Sequence, residues 1–178
     1  MLAGKLYRST DPELVDAMAH AQQFLRELNA LPNEDPAART VLLRKFLGHF
    51  GENTNLRSPF FCDYGSHISI GRDSFVNFNC VFLDCNRITL GDKAQVGPGV
   101  PIYTAWHPLE PATRQSGLEA ASPVTIGKNV WIGGGAILCP GVAIGDNSVI
   151  GAGSVVVKDL PAGVLGVGNP CRVVRSLV

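Results

Sequence analysis

The sequence predicts a mainly β chain: parallel strands wound into the three-sided coils of a solenoid, with a two-helix cap at the N-terminus. Two observations predict it. From residue 70 to 156 an aliphatic residue returns every six positions, often with glycine directly behind it. The first 55 residues lack this beat and carry apolar residues at helical spacing instead.

The cap comes first. Thr10-Asp11-Pro12-Glu13 reads as a helix start, with Thr10 or Asp11 as cap, Pro12 in the first turn and Glu13 favouring the dipole. Leu14, Met18, Ala21, Leu25 and Leu28 then recur on one face. Leu31-Pro32-Asn33 ends that helix. A second is expected from about Pro36 to Phe50, with Leu43, Phe46, Leu47 and Phe50 aligned and Gly51 as its stop. Both apolar faces must be buried against the rest of the chain. The reading divides the chain into a helical cap over 1–55 and a solenoid over 56–178.

The leading positions of the beat are Ile70, Val76 and Phe82, then Leu90, Val96 and Ile102, then Ile126, Ile132 and Leu138, then Ile144, Ile150 and Val156. Helices repeat near 3.6 and strands at 2, so six requires a short strand followed by a tight corner. Three strands and three corners close one coil of eighteen residues, and each coil buries its face only against its neighbours. Small residues follow the beat at Gly71, Gly91, Gly97, Gly127, Gly133, Gly145 and Gly151, where the backbone bends and coils approach closely. Two residues are inserted at Ile88-Thr89, and residues 108–125 insert a long loop after the second coil.

Composition narrows the function. Fifteen basic and fifteen acidic residues leave a formal charge of +0, which offers nucleic acid or an anionic membrane no electrostatic attraction. The N-terminal stretch MLAGKLYRSTDPEL has no apolar run, and no apolar segment is long enough to span a bilayer. Five cysteines without a CxxC pair read as free thiols in a reducing cytoplasm. A metal site built on Cys80 and Cys85 lacks further ligands at suitable spacing, so no metal is expected.

Chemistry concentrates at Tyr103-Thr104-Ala105-Trp106-His107-Pro108. There the second coil ends and the insertion begins. A histidine at a solenoid corner, at the root of a loop, suits general base chemistry because it titrates near operating pH. None of the other histidines (His20, His49, His67) has this setting. A lone histidine is otherwise a structural or merely exposed side chain.

These residues resemble the hexapeptide-repeat acyltransferases. The repeat follows the [LIV]-G-x-x-x-x pattern of that family, and Thr104-Ala105-Trp106-His107-Pro108 is similar to the Thr-x-His-Pro segment of its maltose and galactoside O-acetyltransferases. The opening Ala3-Gly4-Lys5-Leu6-Tyr7-Arg8-Ser9 resembles that of the maltose enzymes. Cys62-Asp63-Tyr64-Gly65, Asn77-Phe78-Asn79, Pro123 to Gly127, Asn129 to Gly133, Gly145-Asp146-Asn147 and Gly168 to Arg172 fall in the same order and spacing.

The resemblance implies a left-handed parallel β-helix, an exception to the right-handed rule for parallel crossovers. It implies homotrimers with active sites between adjacent prisms, and direct acetyl transfer from acetyl-CoA to a sugar hydroxyl with His107 as general base. It carries acceptor contacts onto Asp63, Asn77 and Asp84, with Asp11 near an N-terminal acidic contact. The alternative for all four is turn or cap formation. The coenzyme contacts map onto Trp131, Gly134, Ala152, Val157 and Lys158, with phosphate-end cations at Arg172 and Arg175. Relatives often carry Ser or Thr at the positions of Gly134 and Val157, so those side-chain contacts are absent here. Galactoside-type enzymes tend to carry two acids where this chain has Asp84-Cys85, which favours a maltose- or glucose-like acceptor.

Several alternatives share the solenoid. A γ-type carbonic anhydrase needs three zinc-binding histidines, and His67 and His107 have no partner at that spacing. A non-catalytic scaffold remains open, as do amino-sugar and xenobiotic acetyltransferases. A covalent acetyl-enzyme would use Cys85 or Cys139 as nucleophile, and neither sits in a Cys-His pattern.

Overall fold

The computed structural model describes residues 1–177. Three sheets of 5, 7 and 5 strands form the three faces of one prism. Face one stacks His49–Phe50, Ile68–Ile70, Ile88–Leu90, Val124–Ile126 and Ala143–Ile144. Face two stacks Asn55–Leu56, Phe75–Val76, Gln95–Val96, Trp131–Ile132, Val149–Ile150 and Val164–Val167 in parallel, and Arg172–Ser176 closes it antiparallel. Face three stacks Phe60–Cys62, Cys80–Leu83, Pro101–Tyr103, Ile137–Leu138 and Val155–Val156.

The beat residues lie in register from coil to coil. Ile70 pairs with Leu90, Leu90 with Ile126, and Ile126 with Ile144. Val76, Val96, Ile132 and Ile150 form a second column, and Phe82, Ile102, Leu138 and Val156 a third. All twelve are buried in one core. The glycines behind them are required by close approach: a Cβ on Gly133 would stand 2.5 Å from the Ala152 backbone nitrogen one coil on. One corner turns in the left-handed region at Asn53, Asp73, Lys93, Asn129 and Asn147, a position that Asn and Asp tolerate better than most residues.

The solenoid starts a coil earlier than the beat predicts. Phe50, Leu56 and Cys62 pair with Ile70, Val76 and Phe82, so the first coil begins at His49, ahead of the 55/56 boundary. The second helix correspondingly ends at Phe46 rather than Phe50. Leu47 turns extended, its N–H bonding the Leu43 carbonyl at 2.9 Å, and Gly51 N–H joins the Ile70 carbonyl at 2.9 Å. Gly51 is therefore a coil-to-coil glycine, because a Cβ there would overlap the backbone of Arg72.

The cap consists of α1 (Pro12–Ala30) and α2 (Pro36–Phe46). Ala21, Phe24, Leu25 and Leu28 of α1 and Leu43 of α2 are buried, and all but Ala21 join the core of the first coil. Buried Arg39 ties the pieces together by donating to the carbonyls of Leu28, Leu31 and Leu56. Neither helix is long and apolar enough to cross a membrane, nor is any other described helix.

The faces differ outside. Outward positions on face one are mostly polar, with Ser69, Thr89 and Thr125 in one row ahead of Ala143. On face three they are apolar: Phe61, Val81, Leu83, Tyr103, Ile137 and Val155.

Candidate active site

The corner where face three turns into face one gathers the chemistry. Asp63, Asp84 and His107 each follow a face-three strand in successive coils. Asp84 is 0% exposed, and its carboxylate is fully engaged. Oδ1 accepts the amides of Asp63 (3.0 Å) and Tyr64 (2.8 Å), and Oδ2 accepts that of His67 (3.3 Å). The Asp84 side chain staples one coil to the next, so in this chain it serves the corner that it was also read to form. The two extra residues of these coils give the corner room to fold over it.

His107 is mounted on a short antiparallel pair, Ala105–Trp106 with Ala120–Ala121. Thr104 anchors the pair. Its hydroxyl donates to the Leu83 carbonyl at 2.6 Å and accepts the Asn86 amide at 2.8 Å. Asn86 in turn donates to the Ala121 carbonyl at 2.9 Å, and Trp106 Nε1–H donates to Ser122 Oγ at 3.0 Å. The register aligns 105 with 121 and 106 with 120, which places His107 opposite Glu119. His107 Nε2 lies 3.9 Å from Glu119 Oε2, with the imidazole 63% exposed and the carboxylate 15% exposed.

Glu119 is also held from its other side. Its N–H donates to the Tyr7 carbonyl at 3.0 Å, and Tyr7 N–H returns a bond to the Glu119 carbonyl at 2.9 Å. Arg8 donates to the Ser116 carbonyl at 2.7 Å. The inserted loop, with its short helix α3 (Pro111–Gln115) capped by Glu110, folds back onto the chain's own N-terminal segment.

Beneath it lies a partly buried polar group. Cys85 Sγ–H donates to Asp63 Oδ2 at 3.3 Å, and the buried Tyr7 hydroxyl sits beside Cys85 and Glu119. Burial pushes the Asp63 carboxyl above its ordinary range, and the charges of Asp84 and Glu119 add to that; the Cys85 contact pulls the other way.

Asn77, Trp131, Gly134 and Ala152 lie at a different edge, where face two turns into face three, whereas Val157 and Lys158 follow a face-three strand as Asp63 and Asp84 do. Asn77, Trp131 and Gly134 line one open groove of about 310 Å³ with Pro98 and Gly97. A Cβ on Gly134 would come 3.2 Å from Pro98 Cδ, so glycine keeps the groove open. Ala152 stands one coil on, its backbone against Gly133. Val157 and Lys158 are exposed just past the last face-three strand. Arg172 and Arg175 lie on the exposed C-terminal strand that closes face two. Asn77 is thus grouped with Trp131 and Gly134 and not with Asp63 and His107. Face three separates the two edges by about six residues, on the order of 15–20 Å at strand spacing.

Residues 1–51 match the maltose acetyltransferase hexapeptide capping motif, and residues 123–158 match the bacterial transferase hexapeptide, six repeats. Nodulation protein L of Rhizobium meliloti is 49% identical over 173 residues, covering 97% of this chain and 94% of that protein. The crystal structure of a maltose O-acetyltransferase from Clostridium difficile 630 superposes with a TM-score of 0.98 at 45% identity, covering 99% of this chain and 95% of that one. The chain belongs to the hexapeptide-repeat acetyltransferases. A galactoside acetyltransferase in complex with coenzyme A superposes with a TM-score of 0.95 at 38% identity, over 99% of this chain and 88% of that one.

Within this acetyltransferase, Asp11 caps α1, its Oδ1 accepting the Glu13 amide at 3.1 Å, while also lining an open cavity with Tyr7, Arg8 and Leu118. Burial pushes the Cys85 thiol up to about 12, and burial also raises Cys139. Both shifts disfavour the thiolate that a covalent acetyl-enzyme would use as its nucleophile. Glu119 and Asn86 brace the hairpin and escaped sequence reasoning, and Thr104 was read only as part of the His107 segment. Their roles come from an antiparallel pairing across the inserted loop, and no spacing rule signals it.

Proposed function

We propose that this acetyltransferase moves the acetyl group of acetyl-CoA to a sugar hydroxyl, with His107 as general base. The observation that carries the reading is the setting of His107: an exposed imidazole at the solenoid corner, mounted on a braced hairpin, with the shielded Glu119 carboxylate 3.9 Å from Nε2. Complexes of related acetyltransferases with coenzyme A support the donor. The names of a maltose and a galactoside enzyme among the structural matches support a sugar acceptor.

In this mechanism His107 takes the hydroxyl proton as the oxygen attacks the thioester carbonyl. The C–O bond forms, the C–S bond breaks through a tetrahedral oxyanion, and the coenzyme thiolate leaves. The proton on the imidazolium then goes to that sulfur. Gly134, Ala152, Trp131, Val157 and Lys158 hold the pantetheine arm, and Arg172 and Arg175 face its phosphates. Asp63 and Asn77 orient the acceptor.

The separation of the two edges supports an oligomer. Gly134 lies across face three from His107 of the same chain. Stacking the apolar face three of one subunit against a neighbour brings the groove edge of one chain to the histidine edge of the next. We read the assembly as a homotrimer with active sites between subunits.

The test is release of free thiol from acetyl-CoA against maltose, glucose, a galactoside, an amino sugar and chloramphenicol. Acceptor-dependent release with the neutral sugars is expected. Release with the amino sugar or chloramphenicol alone would assign a different acceptor class, and failure to bind the coenzyme would return the chain to a scaffold role.

A further inference from the structure

We propose that Glu119 is the positioning residue for His107. The inference rests on His107 being the base and adds a residue that family resemblance did not supply. Three independent contacts converge on it. The hairpin register sets the two side chains opposite each other. The carboxylate lies 3.9 Å from Nε2, with most of its surface shielded from water. The Glu119 backbone is then fixed from the far side by two hydrogen bonds to Tyr7. An imidazole that is 63% exposed has little packing to fix its rotamer, so a shielded carboxylate on a doubly bonded backbone is the element that orients it. When His107 takes the hydroxyl proton, the new positive charge forms against that carboxylate, where a fixed opposite charge stabilises it without reorganisation.

The arrangement also gives the N-terminal segment a task. Tyr7 holds Glu119 through two backbone hydrogen bonds, so the opening of the chain acts on the base through the loop. His107 receives no other side-chain carboxylate within ion-pair distance among the described residues.

The experiment compares wild type, Glu119→Gln, Glu119→Asp and His107→Ala in acetyl-CoA turnover with the best acceptor of the panel. Glutamine keeps size and hydrogen bonding and removes charge. The expected result for Glu119→Gln is a kcat lower by about tenfold or more, inside the 10²–10⁴-fold a general base contributes. KM for acetyl-CoA and for the acceptor, and the melting temperature, stay at wild-type values, and Glu119→Asp recovers part of the loss. A wild-type kcat for Glu119→Gln beside an inactive His107→Ala overturns the role of Glu119 and leaves the base in place. A raised acceptor KM at unchanged kcat also overturns it, by making Glu119 an acceptor contact. An active His107→Ala sinks the base itself, and the positioning role with it.

Discussion

The Asp84 carboxylate accepts the backbone N–H of Tyr64 at 2.8 Å from a residue one coil earlier in the solenoid. With the amides of Asp63 and His67, it satisfies three donors at a corner where no strand pairing can. Removing one partner of a buried hydrogen bond costs about 1–3 kcal/mol for the group left bare. Asp84→Ala is therefore expected to destabilise the fold by roughly 3 kcal/mol or more, and Asp84→Asn, which keeps one acceptor oxygen, by less. Thermal melts of both variants check the order. Equal melting temperatures for Asp84→Ala and wild type would contradict the staple.

Asp63 gives a pH-dependent prediction. Burial raises its carboxyl in the folded chain, so the native state holds its proton to higher pH than the unfolded state does. Stability contributed at this site is then highest below the ordinary carboxylate value of about 3.9 and falls as pH rises through the raised folded value. Asp63→Asn removes the titration and keeps an acceptor for Cys85. It should melt above wild type at pH 8, and the gap should close toward about pH 4. A gap that does not change with pH would contradict the burial argument.

The glycines of the beat separate into two kinds. Gly133→Ala places a methyl 2.5 Å from the Ala152 nitrogen, a clash with backbone that cannot rotate away. Overpacking of this kind costs about 1–3 kcal/mol. Gly135 has φ +69° and nothing within 4 Å of its would-be Cβ, so Gly135→Ala should cost only the left-handed penalty of about 1 kcal/mol. Comparing the two melts separates coil contact from backbone strain.

The coenzyme groove is tested by kinetics. Gly134→Val would fill the space beside Pro98, and Arg172→Ala would remove a cation from the exposed edge strand. Both should raise KM for acetyl-CoA more than they lower kcat. An unchanged KM for Arg172→Ala would assign that arginine to a solvated tail.

Much of this molecule was readable from residue spacing. The twelve beat residues, Ile70 through Val156, carry three columns of the core, because a six-residue period has one economical solution in strand and corner. The first coil was hidden because Phe50 continues the apolar face of α2 and Cys62 is not an aliphatic residue. Pairing with Ile70 outweighed helix propensity there. His107 was legible from its place at the root of the insertion. The burial of Asp84 was not, because a corner acid can face either way and only the coil below decides. Nor was the separation of Asn77 from His107, since spacing along the chain does not say which of the prism's three edges a corner occupies.

The central claim is that His107 is the base of an acetyl transfer. The most direct test is acetyl-CoA-dependent turnover by His107→Ala with the acceptor the wild type uses best. The account predicts a variant that folds and binds the coenzyme as wild type does, with kcat lower by roughly 10²–10⁴-fold. Turnover within a fewfold of wild type would contradict it.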